Sequence, residues 1–98
     1  MILAGDVGGT KTRLALYEVE GGRLQRRIVE KFDSKSAQTL EEIASRFLDT
    51  HKMTGKVRAA SFGIPGPVVK GCVKLTNLPW SISDQQVAQH LKIPHVKL

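Results

Sequence analysis

A short glycine-rich segment near the start of the chain has residue types suited to holding a phosphate group. It reads Gly5-Asp6-Val7-Gly8-Gly9-Thr10-Lys11. The glycines lack a Cβ and can take positive φ, so that the backbone can approach a bulky anion closely. Successive N–H groups in such a turn form an anion-binding concavity. Thr10 adds a hydroxyl donor and Lys11 adds positive charge, so we predict that residues 5–11 bind the phosphates of a nucleotide.

The aspartate in this segment predicts a divalent cation. The carboxylate of Asp6 would repel bound phosphates unless a cation stood between them. Mg²⁺ keeps several of its waters and is commonly bound through one or two carboxylates together with substrate phosphates. We therefore predict that Asp6 contacts Mg²⁺ through water.

The spacing excludes the two commonest phosphate loops. A Walker loop requires glycine immediately before the lysine, where this chain has Thr10, and it opens a helix. The dinucleotide fingerprint is absent and would also open a helix, whereas Thr12 to Val19 alternates as a strand does. Two interpretations remain, a phosphate clamp on a β-hairpin and a plain turn, because glycine and aspartate are also ordinary turn residues.

The pattern around this segment predicts alternating strands and helices. Apolar runs and alternation predict strands over residues 2–4, 12–19, 24–32, 57–64, 68–75 and 95–98, the first three antiparallel. Leu40, Ile43, Ala44, Phe47 and Leu48 form one apolar stripe at helical spacing. Thr39 with Glu42, and Ser83 with Gln86, have the spacing of helix-starting capping boxes. The chain is therefore predicted to be an α/β domain with two helices.

Composition narrows the class of protein. The chain has 98 residues, enough for one domain, and a net charge of +6 that is spread along it. Nucleic-acid surfaces concentrate Lys and Arg on one face, so we expect no nucleic-acid partner. No apolar run approaches the ~20 residues that cross a bilayer, which predicts a cytoplasmic protein without membrane contact. The one cysteine, Cys72, excludes an internal disulfide and is expected to be buried.

Three segments, in order, resemble motifs of the bacterial glucokinase family within the hexokinase and actin superfamily. Asp6-x-Gly8-Gly9-Thr10-x-x-Arg13 resembles the first phosphate motif of that superfamily. Phe62-Gly63-Ile64-Pro65-Gly66-Pro67-Val68 resembles the loop beside the sugar site. Thr76-Asn77-Leu78-Pro79-Trp80 resembles a segment that lies near bound glucose. The similarity extends over essentially the whole chain.

The resemblance implies a fold and a reaction. The fold would be a ribonuclease-H-like (actin-like ATPase) lobe, with a mixed five- to six-stranded sheet and two helices. The reaction would be transfer of a phosphoryl group from ATP to glucose, with Mg²⁺ as cofactor and a homodimer as one option for assembly. Residues 5–11 would bind ATP, and Asn77, Gly66 and Pro65 would lie at the sugar. For Asn77 a turn-forming role is the alternative, and for Trp80 packing is favoured over sugar stacking.

The family's catalytic aspartate lies in a segment that follows the last strand of this chain. We therefore expect residues 1–98 to be the N-terminal small lobe of a glucokinase, truncated before that aspartate and the large lobe, and inactive alone. Asp84 is not assigned as a substitute, because an acid in the first turn of a helix favours the helix dipole. The alternatives are a kinase for fructose, mannose or an amino sugar, and a non-catalytic nucleotide- or sugar-binding regulator. A sugar-sensing repressor and a nuclease on the same fold fit the sequence less well.

Overall fold

The computed structural model describes residues 1–76 and 78–98, which form seven strands, two α-helices and one short 3₁₀ helix. In chain order the elements are β1 (Ile2–Val7), β2 (Lys11–Glu20), β3 (Arg23–Asp33), the 3₁₀ helix (Ser34–Ser36), α1 (Leu40–Thr50), β4 (Ala59–Gly63), β5 (Cys72–Lys74), β6 (Ser81–Ser83), α2 (Asp84–Leu91) and β7 (His95–Lys97).

Five of the strands form one mixed sheet in the order β3-β2-β1-β4-β7. β1, β2 and β3 are consecutive antiparallel neighbours, as the sequence predicted, whereas β4 and β7 run parallel to β1. The β2–β3 hairpin closes at Gly21 and Gly22, whose φ values of 59° and 76° are those that a two-residue hairpin turn of the I′ type requires. The prediction of a mixed five- to six-stranded sheet with two helices is confirmed.

Both helices begin at the residues that the capping patterns indicated. The hydroxyl of Thr39 accepts from the Glu42 N–H at 3.1 Å, and that of Ser83 accepts from the Gln86 N–H at 3.4 Å. The carboxylate of Glu42 reaches back to the N–H of Gln38 at 3.1 Å, one residue before the cap. These contacts satisfy amides that the first helical turn leaves without a partner.

One face of the sheet and both helices share a single hydrophobic core. β1 and β2 contribute Leu3, Leu14 and Leu16, and α1 contributes the apolar stripe that the sequence predicted. Side chains alternate along a strand, so Asp6, next to the buried Val7, and Arg13, next to the buried Leu14, lie on the opposite face and are exposed. The sheet thus separates a packed face from a face that is polar near the β1–β2 turn.

The strand predicted over residues 68–75 is wrong in extent. Val69 and Cys72 exchange backbone hydrogen bonds at 2.9 and 3.0 Å around a tight turn. Lys70 and Gly71 both have positive φ there, at 53° and 75°. Only Cys72–Lys74 continues as β5, which pairs with β6 in a separate two-stranded sheet. Cys72 is exposed rather than buried, because its side chain alternates with the buried Val73 on this short strand.

The side chain of Glu41 lies where α1 meets α2, and this contact makes stability depend on pH. Burial raises the pKa of the Glu41 carboxyl, and the nearby His90 opposes the shift only in part. Among the described residues, its Oε1 atom is buried without a hydrogen-bond partner. The ionised form is therefore disfavoured in the folded protein relative to the unfolded chain.

Glu41→Gln is expected to flatten part of the pH dependence of stability. A raised folded pKa means that the folded state binds more protons, so the contribution of Glu41 to stability is present at acid pH and is lost as pH rises through the folded pKa. The variant should gain in urea midpoint relative to the wild type at neutral pH, and the gain should shrink towards pH 4. An identical pH profile for both proteins would contradict the burial argument. Exposed Glu42→Gln serves as the control, because its amide oxygen can still accept from the Gln38 N–H.

Within the described part of the chain, no helix combines the length and the apolar character needed to span a bilayer.

Candidate functional site

The glycine-rich segment forms the tight connection between β1 and β2. The last strand pair before the turn is Val7 with Thr12, so residues 8–10 make the bend. A Cβ on Gly8 would lie 2.7 Å from the Lys11 carbonyl oxygen, so any added side chain would force the backbone of the turn to shift. The φ of Gly8 is not in the left-handed region, so glycine is required here for the close approach of two backbone segments rather than for a positive φ.

Asp6 lies beside this turn, near the carboxyl end of β1. Its register neighbours are Arg13 on β2 and Gly63 on the parallel strand β4. The Asp6 side chain is exposed, and a Cβ built on Gly63 would still be 3.9 Å from its Oδ1 atom. Because Gly63 has no side chain, the space next to the carboxylate is open to a ligand.

This arrangement fits a hydrated Mg²⁺ better than a metal held by protein ligands alone. Within residues 1–76 and 78–98, no three His, Cys, Asp or Glu side chains come close enough together to hold a metal ion. A cation held by Asp6 through water would have water and ligand phosphates around it. Such a shell suits Mg²⁺, which gives up its waters reluctantly.

Two buried hydroxyl groups hold the turn on its side facing the interior of the protein. Ser34 and Thr12 are both fully buried, and their hydroxyl oxygens lie 2.8 Å apart. Ser34 Oγ donates to the Gly8 carbonyl oxygen at 2.6 Å, and the Ser34 N–H donates to the Thr10 carbonyl oxygen at 2.9 Å. The turn is therefore fixed through its carbonyl groups.

The 3₁₀ helix that presents Ser34 is itself capped. The carboxylate of Asp33 accepts from the Lys35 N–H at 3.1 Å, and the Ser36 hydroxyl donates to the Asp33 carbonyl oxygen at 2.6 Å. Asp33 is also the register partner of Lys11, the last residue of the glycine-rich segment. The start of β2 is thus held against the end of β3, next to the turn.

The structure brings part of the predicted sugar-side segments next to the turn. Gly9, Pro65, Leu75 and Thr76 line a common cavity of about 90 Å³. Gly66 lies nearby in sequence, its N–H donating to the Ile64 carbonyl oxygen at 3.0 Å, but it does not line this cavity. Asn77, the residue predicted to contact sugar, lies outside the described residues.

Trp80 connects the sugar-side segment to the region behind the turn. Its side chain is 1% exposed and belongs to the core, in agreement with the packing role that the sequence favoured. The indole Nε1–H donates to the Ala37 carbonyl oxygen at 3.2 Å. Ala37 directly follows the 3₁₀ helix that carries Ser34, so hydrogen bonds connect Trp80 through residues 34–37 to the turn at residues 8–10.

Sequence reasoning missed the contribution of Ser34. The Asp-Ser-Lys-Ser run at residues 33–36 is compatible with a local turn, since aspartate side chains often bond to the backbone two residues later. Nothing in that run indicates that its first serine reaches back 26 residues to Gly8.

The strand order, together with a glycine turn between β1 and β2, is that of the actin-like ATPase fold. A family model described as Glucokinase matches residues 3–98. A glucokinase of Trichormus variabilis is 38% identical to the chain over 99 residues and one of Yersinia enterocolitica is 32% identical over 96 residues. These alignments cover 100% and 98% of this chain. The chain belongs to the glucokinase family.

Solved structures agree with this assignment. A glucokinase from an Antarctic psychrotroph superposes with a TM-score of 0.86 at 27% identity, over 98% of this chain and 30% of that one. A putative sugar kinase from Cytophaga hutchinsonii, at 23% identity and a TM-score of 0.69 over 99% of this chain and 35% of that one, shares the fold. The chain spans 29% of the length of the Trichormus relative and 28% of the length of the Yersinia relative.

Proposed function

We propose that the intact protein containing this chain transfers the γ-phosphoryl group of ATP to the 6-hydroxyl of glucose, and that this chain is its small lobe. Membership of the glucokinase family supports the reaction. The observation that carries the proposal is the anchored Gly8–Thr10 turn beside an exposed Asp6 carboxylate. The proposed use of ATP favours a cytoplasmic location.

The turn contributes to the reaction by binding and orientation. Catalysis of phosphoryl transfer depends mostly on positioning and on stabilising the charge that develops on the phosphate oxygens. Backbone amides fixed in advance stabilise such charge without having to reorganise during the reaction. The hydroxyl of Thr10 and the ammonium group of Lys11, both exposed, are available to the same anion.

Asp6 would hold Mg²⁺ through water. When bound, the ion would neutralise the charge that develops on the phosphate oxygens. The open space beside Gly63 leaves room for the ion's water shell. Asp6 therefore acts by fixing the position of the cation relative to the turn.

On the sugar side, we propose that the segments at Pro65-Gly66 and Thr76-Asn77 approach the glucose hydroxyls. The support is that Gly9, Pro65 and Thr76 share one cavity, so the two predicted half-sites are adjacent. An asparagine side chain offers both a donor and an acceptor for a hydroxyl group.

The test is to assay the intact protein with ATP, Mg²⁺ and a panel of glucose, fructose, mannose and glucosamine, following sugar phosphate by ³¹P NMR. We expect glucose to give the highest kcat/KM. 6-Deoxyglucose, which lacks the acceptor hydroxyl, is the matched control and should give no product. A higher kcat/KM for another sugar would make that sugar the proposed substrate in place of glucose. No product with any sugar would favour a non-catalytic regulator.

A further inference from the structure

Ser34 lies outside every predicted motif, yet it contacts the glycine turn at two points. Its hydroxyl donates to the Gly8 carbonyl oxygen and its N–H donates to the Thr10 carbonyl oxygen. We infer that Ser34, held by Thr12, is a positioning residue that fixes the turn in its phosphate-binding shape. The inference rests on the proposed function, because it names the group that prepares that site for the nucleotide.

The hydroxyl protons in this contact can be assigned by counting. A serine hydroxyl has one proton, and Ser34 Oγ gives it to the Gly8 carbonyl oxygen at 2.6 Å. The 2.8 Å contact between Ser34 Oγ and Thr12 Oγ1 therefore has Thr12 as its donor. Thr12 fixes the direction of the Ser34 hydroxyl, and Ser34 in turn fixes the carbonyl of Gly8.

Both hydroxyl groups of the Thr12–Ser34 contact are buried, and this burial makes the contact specific. Thr12 and Ser34 are the two buried polar side chains of the described residues, both at 0% exposure. A buried hydroxyl without a partner is costly, so the Thr12 hydroxyl needs Ser34 Oγ as its acceptor. Two carbonyls of a three-residue turn are bonded on the packed side, which limits how the intervening peptide planes can rotate. The amides of the turn are thereby held towards the side where an anion would bind.

A purely structural role for Ser34 makes different predictions from a positioning role. Loss of a structural hydrogen bond would lower the melting temperature and leave the KM values of the folded protein unchanged. Loss of a positioning contact would raise the KM for ATP and leave the KM for glucose as it was. It would also loosen the turn amides when no ligand is present.

The experiment uses the intact protein and four variants. Ser34→Ala removes the hydroxyl that donates to Gly8. Thr12→Val removes the hydroxyl that donates to Ser34, and Thr12→Ser keeps that hydroxyl. Ser36→Ala is the matched control, because Ser36 also donates a 2.6 Å hydroxyl bond in the same 3₁₀ helix, but to Asp33 rather than to the turn. The readouts are hydrogen exchange of peptides covering residues 5–13 without nucleotide, and the KM values for ATP and for glucose.

We expect Ser34→Ala and Thr12→Val to speed exchange in residues 5–13 and to raise the KM for ATP about tenfold, the lower end of the range found when a group that orients a metal ligand is removed. Thr12→Ser and Ser36→Ala should match the wild type. Unchanged exchange and unchanged KM for ATP in a folded Ser34→Ala protein would overturn the inference.

The exchange measurement separates this inference from the proposed function. A wild-type protein without kinase activity would refute the function, while faster exchange in the variants would still support the role of Ser34 in holding the turn. Kinase activity in the wild type, with no response of exchange or KM in the variants, would refute the role of Ser34 alone. If Ser34→Ala fails to fold, the comparison of Thr12→Val with Thr12→Ser decides the question.

Discussion

Asp6→Asn is expected to lower the kcat of the intact protein by about 10²–10³-fold, the range found when one fixed group that stabilises developing charge is removed. Asparagine keeps the shape of the side chain but loses the negative charge that would hold Mg²⁺ beside the turn. Because Asp6 is exposed, the substitution should leave the melting temperature close to that of the wild type. Steady-state kinetics over a range of Mg²⁺ concentrations measures the effect.

The control for this variant is Glu20→Gln. Glu20 lies on β2 at the far end of the same hairpin, where its carboxylate pairs with Arg27 at 2.7 Å between exposed side chains. Such surface pairs contribute little to stability, so this variant should retain full activity. Wild-type kcat in Asp6→Asn at every Mg²⁺ concentration would show that the carboxylate does not act through a cation.

Gly8→Ala is expected to lower kcat/KM for ATP by about 10²-fold, the loss that can follow from displacing a positioning group by about 1 Å. The added methyl group would lie 2.7 Å from the carbonyl oxygen of Lys11. The obstacle is backbone rather than a flexible side chain, so the turn itself must shift. The predicted result is a raised KM for ATP, with the KM for glucose little changed.

Gly22→Ala is the control that separates distortion of the turn at residues 8–10 from a general loss of stability. Gly22 lies in the β2–β3 turn with a φ of 76°, and no atom lies within 4 Å of the position of its missing Cβ. Alanine there strains the hairpin and should lower the melting temperature without changing the KM for ATP. If Gly8→Ala behaved in the same way as Gly22→Ala, the turn would not be a phosphate-binding element.

The parts of the fold that local chemistry determines were predictable from the sequence. Thr39 and Ser83 mark the helix starts because their hydroxyls bond to amides only three residues away. The β2–β3 hairpin follows from two adjacent glycines with positive φ. The turn at Lys70-Gly71 was missed because a lysine with positive φ gives no signal in composition, and the apolar residues around it favour a continuous strand.

The candidate site was predictable only on its ligand-facing side. Residues 5–11 were identified from residue type and spacing, and their roles remain predictions. Ser34 could not be found in this way, since a serine after an aspartate has many local uses and its contact with Gly8 depends on β3 ending beside the turn. Contacts that support a site from behind are set by the packing of distant segments, which periodicity does not encode.

The position of Trp80 gives the chain an intrinsic optical probe. It is the one tryptophan of the 98 residues, and its indole is buried against the peptide group of Ala37. Indole emission depends on local polarity and on hydrogen bonding at the ring nitrogen. A change in the emission of Trp80 on adding nucleotide would therefore report a change at Ala37, next to the 3₁₀ helix that holds the turn. The measurement needs no dye and leaves the binding residues unaltered.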